Sequence, residues 1–87
     1  MYRVEYHKRV IKFLSKKDYK FKEQILDIFD DIAKDPYTSE YDIKPYKCSY
    51  DNAYRLRVGK YRYIYRIFDD EILIFVSDAD SRGSIYK

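Results

Sequence analysis

The most regular pattern in the chain covers residues 54–67, where arginine at most alternate positions is separated by tyrosine or aliphatic residues. Gly59 and Lys60 interrupt the pattern. A period of two predicts β-strands, and glycine at the first of two central positions is typical of a type II′ hairpin turn. This turn sets the register of the two strands. One face then carries Tyr54, Leu56, Val58, Tyr61, Tyr63 and Tyr65, and the other carries Arg55, Arg57, Arg62 and Arg66.

The predicted register places Arg57 directly opposite Arg62. Like charges across a strand pair are destabilising, by roughly 0.2–1 kcal/mol. The pair therefore predicts either an acidic neighbour or an anionic ligand, while a simply solvated strand face is the other interpretation. Because guanidinium groups match phosphate oxygens bidentately, we favour a ligand that carries phosphate.

Apolar residues at helical spacing precede the hairpin. They predict one helix over residues 7–17 and a second from Asp18 or Tyr19 to residue 33, with Asp18 as its N-cap. Pro36 is expected to end the second helix, because proline lacks an N–H and disfavours helical geometry before it. We expect residues 37–52 to form a loop.

The strand predicted over residues 72–76 is apolar at every position, which indicates burial on both faces. A simple meander would leave this strand at an edge, so a strand over residues 2–6 is expected to flank it. The resulting sheet order is 1-4-3-2. The predicted fold is α+β, with two N-terminal helices on one face of a four-stranded, mainly antiparallel sheet (β-α-α-β-β-β) in a single domain, residues 1–87.

The charge of the chain is unevenly distributed. The net charge of +3 over 87 residues conceals four blocks: residues 1–22 sum to +6, 23–42 to −6, 43–67 to +6 and 68–87 to −3. Two positive surfaces indicate an anionic partner. The single cysteine, Cys48, excludes an intrachain disulfide, and neither a signal-peptide pattern nor a membrane-length apolar run is present, so we expect a cytoplasmic protein.

The chain resembles the RelE/ParE toxins of bacterial and archaeal toxin–antitoxin operons. The resemblance covers essentially the whole chain and is most specific in Tyr-Arg-Leu-Arg-Val-Gly-Lys-Tyr-Arg, residues 54–62, and Ser-Arg-Gly-Ser-Ile-Tyr, residues 81–86. RelE-type members cut mRNA in the ribosomal A site, whereas ParE-type members inhibit DNA gyrase without cutting RNA. Both are normally neutralised by a small antitoxin.

The resemblance to RelE-type toxins implies a role for several residues. Arg62 and Arg82 would clamp the transition state, and Arg57 would reinforce the positive charge beside them. Arginine is a poor general base, so Tyr86 and Lys60 are the candidates for proton transfer, with a structural Tyr86 as the alternative. The expected RNA contacts are Arg55, Lys44, Lys47, Lys60 and Arg66, although solvated loop lysines are the favoured interpretation of Lys44 and Lys47.

The implied activity is ribosome-dependent cleavage of mRNA by attack of a 2′-hydroxyl, with no metal or cofactor. His7, the only histidine, excludes a histidine pair and is expected to be a surface residue at the start of a helix. The alternative is a ParE-like gyrase inhibitor or a catalytically weak toxin that acts by binding, which Asp78 and Asp80 in the tail favour. Expected partners are a RelB-like antitoxin, the ribosome and mRNA, with no membrane, and a toxin–antitoxin hetero-oligomer on operator DNA.

Overall fold

The computed structural model of the chain describes residues 1–81. Their elements are β1 (Arg3–Tyr6), α1 (Lys8–Ser15), α2 (Tyr19–Lys34), β2 (Asp42–Pro45), β3 (Ala53–Val58), β4 (Tyr61–Phe68), a 3₁₀ turn (Asp69–Glu71) and β5 (Leu73–Asp80). The strands form one sheet in the order β1-β5-β4-β3-β2, in which β1 runs parallel to β5 and the other pairs are antiparallel. The predicted roles of Arg82 and Tyr86 lie outside the described residues.

Both helices begin at a side-chain cap. His7 precedes α1, and its Nδ1 accepts a hydrogen bond from the backbone N–H of Arg9 at 3.1 Å. Asp18 caps α2 by accepting from the N–H of Phe21 at 2.8 Å, which confirms the predicted N-cap. Within residues 1–81, no helix is long and apolar enough to cross a membrane.

The core lies between the two helices and one face of the sheet. Phe29 of α2 is fully buried, and the rings of Tyr6, Tyr63 and Tyr65 meet it edge to face, with centroids 5.9, 6.0 and 5.6 Å away. Such edge-to-face contacts add about 0.5–1.5 kcal/mol to the burial of each ring. The helices therefore cover the tyrosine and leucine face of the hairpin, as predicted. Around this centre pack Val10, Leu14, Ile25, Ile28, Ile32, Leu56, Ile67, Ile74 and Val76.

The hairpin has the predicted register. Val58 lies opposite Tyr61 and Arg57 opposite Arg62. Gly59 has a φ of +61°, and Ile72 is the non-glycine residue with positive φ in the described part of the chain. Positive φ at the first central position of the turn alone is what a type II′ turn requires, so glycine is needed at position 59.

The prediction of four strands and of a loop over residues 37–52 is wrong, because residues 42–45 form the edge strand β2. Ile43 lies opposite Leu56, and Asp42 opposite Arg57. Four residues that end in Pro45 give too short an alternation to stand out in the sequence, and proline is tolerated on an edge strand because its missing N–H faces away from the sheet. The order of the four predicted strands is confirmed.

The last strand lies between β1 and β4 as predicted, but its predicted limits, residues 72–76, are wrong. Ile72 is 54% exposed and adopts a left-handed conformation at φ 51°. The strand continues instead through polar residues to Asp80. A bulge makes this possible: Ile64 lies opposite Asp78 and Tyr65 opposite Val76, which leaves Ser77 as the extra residue. A bulge of this kind redirects side chains along a strand.

Two hydroxyl groups in the core, those of Tyr63 and Tyr65, have no hydrogen-bond partner among residues 1–81. Burial raises the pKa of both phenols, which are neutral in the folded protein. An unpaired buried polar group costs about 1–3 kcal/mol.

We expect Tyr63→Phe and Tyr65→Phe to leave the free energy of unfolding, measured in urea, unchanged or higher. Tyr63→Ala should lower it by about 3–5 kcal/mol because the ring leaves the core. Phenylalanine variants less stable than the parent by more than about 1 kcal/mol would contradict this expectation.

Asp69 links three segments at the end of the sheet distant from the hairpin turn. One carboxylate oxygen accepts from the hydroxyl of Tyr2 at 2.7 Å, and the other accepts from the hydroxyl of Tyr37 at 2.8 Å. These hydrogen bonds lower the pKa of Asp69, and the same carboxylate raises the pKa of Tyr37 to about 12. The start of β1, the segment after α2 and the β4–β5 turn are thereby held together.

The lowered pKa of Asp69 predicts a pH-dependent contribution to stability. The contribution is fully present above the unfolded-state pKa, about 3.9 for aspartate, and is lost as the pH falls through the lower folded-state value. We expect Asp69→Asn to reduce the Tm at neutral pH and the difference from the parent to shrink on acidification. Thermal unfolding followed by circular dichroism measures this, with Asp70→Asn as the matched control. A Tm difference that persists unchanged in acid would exclude this role of the carboxylate.

Candidate nucleic-acid interface

The sheet face that α1 and α2 leave uncovered, called the open face, carries the arginines of the hairpin. At the hairpin-turn end of this face, four residues lie opposite one another on successive strands from β2 to β5. This charged row consists of Asp42, Arg57, Arg62 and Asp80. Two central cations are thus flanked by two carboxylates.

Asp42 is an acidic neighbour of the opposed arginines, one of the two alternatives that their register predicts beside the favoured phosphate ligand. Its Oδ2 lies 3.9 Å from Nε of Arg57, and its Oδ1 lies 3.3 Å from Nη1 of Arg55. The side chain of Arg55 is only 10% exposed, whereas that of Arg57 is 54% exposed. Arg57 is therefore accessible to a ligand, while Arg55 is largely covered, and its contact with RNA stays a prediction.

The next row along the strands also mixes charges. Lys44, which is exposed, lies opposite Arg55, and Asp78 lies opposite Ile64. Oδ2 of Asp78 is 3.8 Å from Nη1 of Arg9 in the first turn of α1. The N-terminal basic block therefore meets the open face at Arg9.

The other predicted RNA contacts, Lys60, Arg66 and Lys47, lie outside the two charged rows. The Nζ of Lys60 lies 5.6 Å from the ring centroid of Tyr61, whose side chain belongs to the helix-covered face. The guanidinium of Arg66 lies over the Tyr50 ring at 3.6 Å, and its Nε donates to Oδ1 of Asn52 at 3.2 Å. Lys47 is exposed in the β2–β3 loop. The open face thus brings together Lys44, Arg55, Arg57, Arg62 and Arg66, and Lys60 does not join them.

His7 is held in a structural role. Its Nδ1 also accepts from Nε of Arg9 at 3.2 Å, and its ring meets Phe75 edge to face at 6.2 Å. The interpretation of His7 as a residue at the start of a helix is confirmed.

Sequence reasoning missed Asp42 and the aromatic half of the open face. Asp42 falls in the loop predicted over residues 37–52, although Tyr41 and Ile43 alternate there with the polar residues Asp42 and Lys44. The aromatic half consists of Tyr46 and Tyr50 from the β2–β3 loop beside Phe75 of β5, around a cavity of about 340 Å³. No local pattern joins these residues, because the sheet brings them together from distant segments.

Comparison with known proteins gives consistent matches. The family model described as the ParE toxin of type II toxin–antitoxin systems, parDE, matches residues 4–86. A protein of Methanocaldococcus jannaschii that bears the name toxin RelE1 is 32% identical over 87 residues, which is 99% of this chain and 96% of that protein.

Two archaeal crystal structures are similar over almost their whole length. The RelE–RelB complex from Pyrococcus horikoshii OT3 contains a chain with a TM-score of 0.83 and 29% identity, with 95% of this chain and 97% of that chain covered. The RelB–RelE complex from Methanococcus jannaschii gives a TM-score of 0.72 and 28% identity, with 94% of each chain covered.

The two-layer fold and the cationic open face, together with these matches, define a class of protein, the small α+β toxins of toxin–antitoxin systems. The chain belongs to the ParE toxin family of type II toxin–antitoxin systems, within the RelE/ParE superfamily. The resemblance read from residues 54–62 and 81–86 is confirmed at this level.

The position of Asp42 generates a stability prediction. Asp42→Asn leaves the buried guanidinium of Arg55 without its counter-charge and removes a charge-assisted hydrogen bond, a kind of interaction worth about 1.5–3 kcal/mol when desolvated. Because Asp42 itself is half exposed, we expect the free energy of unfolding in urea to fall by about 1 kcal/mol. Glu23→Gln, an exposed acid of α2, should change nothing. Equal stability of the two variants would rule out the support of Arg55 by Asp42.

Proposed function

We propose that this toxin inhibits translation by cutting mRNA in the A site of the ribosome, in the cytoplasm. The observation that carries the proposal is the charged row, in which Arg57 and Arg62 lie side by side on an open face. Opposite residues of a strand pair have Cβ atoms about 4.5–5.5 Å apart. A phosphodiester between the two guanidinium groups would accept charge-assisted hydrogen bonds from both.

In the proposed reaction, the 2′-oxygen of a ribose attacks the adjacent phosphorus and the bond from phosphorus to the 5′-oxygen breaks. The 2′-hydroxyl gives up a proton to a base, and the leaving 5′-oxygen receives one from an acid. Negative charge grows on the non-bridging phosphate oxygens. Arg62 is assigned to stabilise that charge, with Arg57 on the flanking phosphate, because fixed cations aimed at developing charge are a large source of catalysis.

Proton transfer is assigned to Tyr86, and a second clamp to Arg82, on the strength of the family resemblance. Among residues 1–81, the two other candidates for proton transfer, His7 and Lys60, are engaged elsewhere. Nδ1 of His7 is engaged by Arg9, and Lys60 lies over Tyr61 on the other side of the sheet. Lys44 and Lys47 are assigned to flanking RNA, as exposed cations on and beside the open face.

We further propose that a RelB-like antitoxin neutralises the toxin. The archaeal relatives of similar fold were crystallised as complexes of RelE with RelB. An acidic helical segment of the antitoxin would complement Arg57 and Arg62 on the open face or displace the tail. The toxin–antitoxin hetero-oligomer would then bind operator DNA.

The test uses ribosomes programmed with a defined mRNA, with new 3′ ends mapped by primer extension. We expect cleavage confined to the A-site codon. Arg62→Ala should slow cleavage by about 10²- to 10³-fold, the usual cost of removing one group that stabilises a transition-state oxyanion. Tyr86→Phe should also slow it, and Arg57→Ala should do so to a smaller extent.

Lys34→Ala is the matched control, because Lys34 is an exposed cation at the end of α2 on the opposite layer. It should cut as the parent does. Intact mRNA with folded protein, under conditions in which an authentic RelE toxin cuts, would refute the nuclease.

A second candidate is a binding-only toxin, either an inhibitor of DNA gyrase or a catalytically weak homologue. The observation that favours it is the acidity of the open face, where Asp42, Asp78 and Asp80 stand beside the arginines. These carboxylates reduce the positive charge available to a phosphorane. Inhibition of gyrase supercoiling by a protein that leaves A-site mRNA intact would establish this candidate.

A further inference from the structure

The open face is aromatic in the half that lies away from the hairpin turn. A cavity of about 340 Å³ opens there between the β2–β3 loop and strands β4 and β5. This volume is at the lower end of the range of pockets that hold small ligands, about 300–1,000 Å³. Its walls include Tyr46, Tyr50, Ile64, Arg66, Phe75 and Asp78.

Hydrogen bonds at both ends hold the loop that forms one wall. The N–H of Tyr46 donates to the carbonyl of Ala53 at 2.9 Å at one end of the loop. At the other end, Asn52 donates through Nδ2 to the carbonyl of Ile67 at 2.8 Å, and its own carbonyl accepts from the N–H of Ile67 at 3.1 Å. The loop is therefore fixed to β3 and β4, and the cavity is preformed.

The side chains of the cavity are also held in place. Cζ of Arg66 lies 3.6 Å from the ring centroid of Tyr50 and 4.6 Å from that of Phe68, and these contacts hold Tyr50 at the rim. On the opposite wall, the bulge in β5 directs Ser77 towards β4, where its hydroxyl donates to the carbonyl of Ile64 at 3.2 Å. The same bulge brings the next residue, Asp78, to the cavity.

The chemistry of the walls suits a flat aromatic ring with N–H donors. Tyr46, Tyr50 and Phe75 all keep exposed surface, and aromatic side chains of this kind stack on the bases of single-stranded nucleic acid. The carboxylate of Asp78 is an acceptor for an exocyclic amino group. A cavity lined in this way favours a nucleobase over an aliphatic chain or a phosphate.

The cavity adjoins the charged row. Ile64 and Asp78 lie two residues along their strands from Arg62 and Asp80, a step of about 6.6 Å. We propose that the cavity receives one unpaired nucleobase of the RNA strand whose phosphates lie along the charged row. This inference rests on the proposed function for the identity of the strand, but its test does not require cleavage.

Binding is measured without ribosomes, by fluorescence titration with a short single-stranded 2′-O-methyl RNA that carries 2-aminopurine and cannot undergo 2′-hydroxyl attack. An abasic oligonucleotide with the same number of phosphates competes at the same ionic strength, so that phosphate binding cancels. For the parent, we expect the base-bearing oligonucleotide to bind about 5- to 100-fold more tightly than the abasic one, the usual range for one stacked base.

Tyr50→Ala should remove most of this preference, and Tyr50→Phe, which retains the ring, should keep it. Phe75→Leu should weaken the preference while leaving the contact of Tyr50 with Arg66 in place. Tyr19→Ala is the control, since Tyr19 is an exposed tyrosine on α2. Equal affinity of the parent for the two oligonucleotides, or identical behaviour of Tyr50→Ala and Tyr19→Ala, would overturn the proposal.

The single thiol of the chain supplies a second readout. Cys48 is exposed and lines the same cavity. At saturating concentration, the base-bearing oligonucleotide should slow alkylation of Cys48 by iodoacetamide, and the abasic one should not. Equal protection by both would contradict the proposal. Neither measurement involves cleavage. If the protein shows the base preference but fails to cut mRNA, the nuclease is refuted and the cavity assignment stands.

Discussion

The burial of Phe29 against three tyrosine rings is the contact on which the two faces of the sheet depend. It joins α2 to β1 through Tyr6 and to β4 through Tyr63 and Tyr65. Because side chains alternate along a strand, fixing two tyrosines of β4 inward fixes Arg62 and Arg66 outward. A slip of one residue would bury the arginines and expose the tyrosines, and the cost of desolvating unpaired guanidinium groups excludes that register.

Several cations on or beside the open face form ion pairs with carboxylates of the sheet. Asp42 forms ion pairs with Arg55 and Arg57, and Asp78 forms one with Arg9. These ion pairs allow several like charges to lie close together on the sheet. An anionic ligand must therefore compete with carboxylates that already contact the arginines. Net charge is then a poor guide to affinity, and a correctly spaced ligand gains more than a diffuse polyanion does.

The fold could be predicted from the sequence wherever a local signal was strong. Gly59 and the alternation around it determine the register of β3 and β4, and Asp18 and Pro36 bound α2 within about one residue. The missed strand β2 contains only four residues, one of them Pro45, so its pairing with β3 depends on tertiary context rather than on propensity. The extension of β5 beyond residue 76 depends on the bulge at Ser77, which no sequence pattern announces.

The residues of the candidate site could be predicted only where a local sequence pattern determines their position. Arg57 and Arg62 follow from the hairpin register, whereas Asp42 and the pairing of Asp78 with Arg9 required the sheet to be assembled. Tyr46, Tyr50 and Phe75 converge from two segments that are distant in the sequence. Their rings can accept a base only if it is unpaired and turned out of its stack, and a duplex could satisfy the charged row but not the cavity. If both halves of the open face act on one ligand, that ligand is a single strand in an extended conformation, as mRNA is when the ribosome presents a codon for reading.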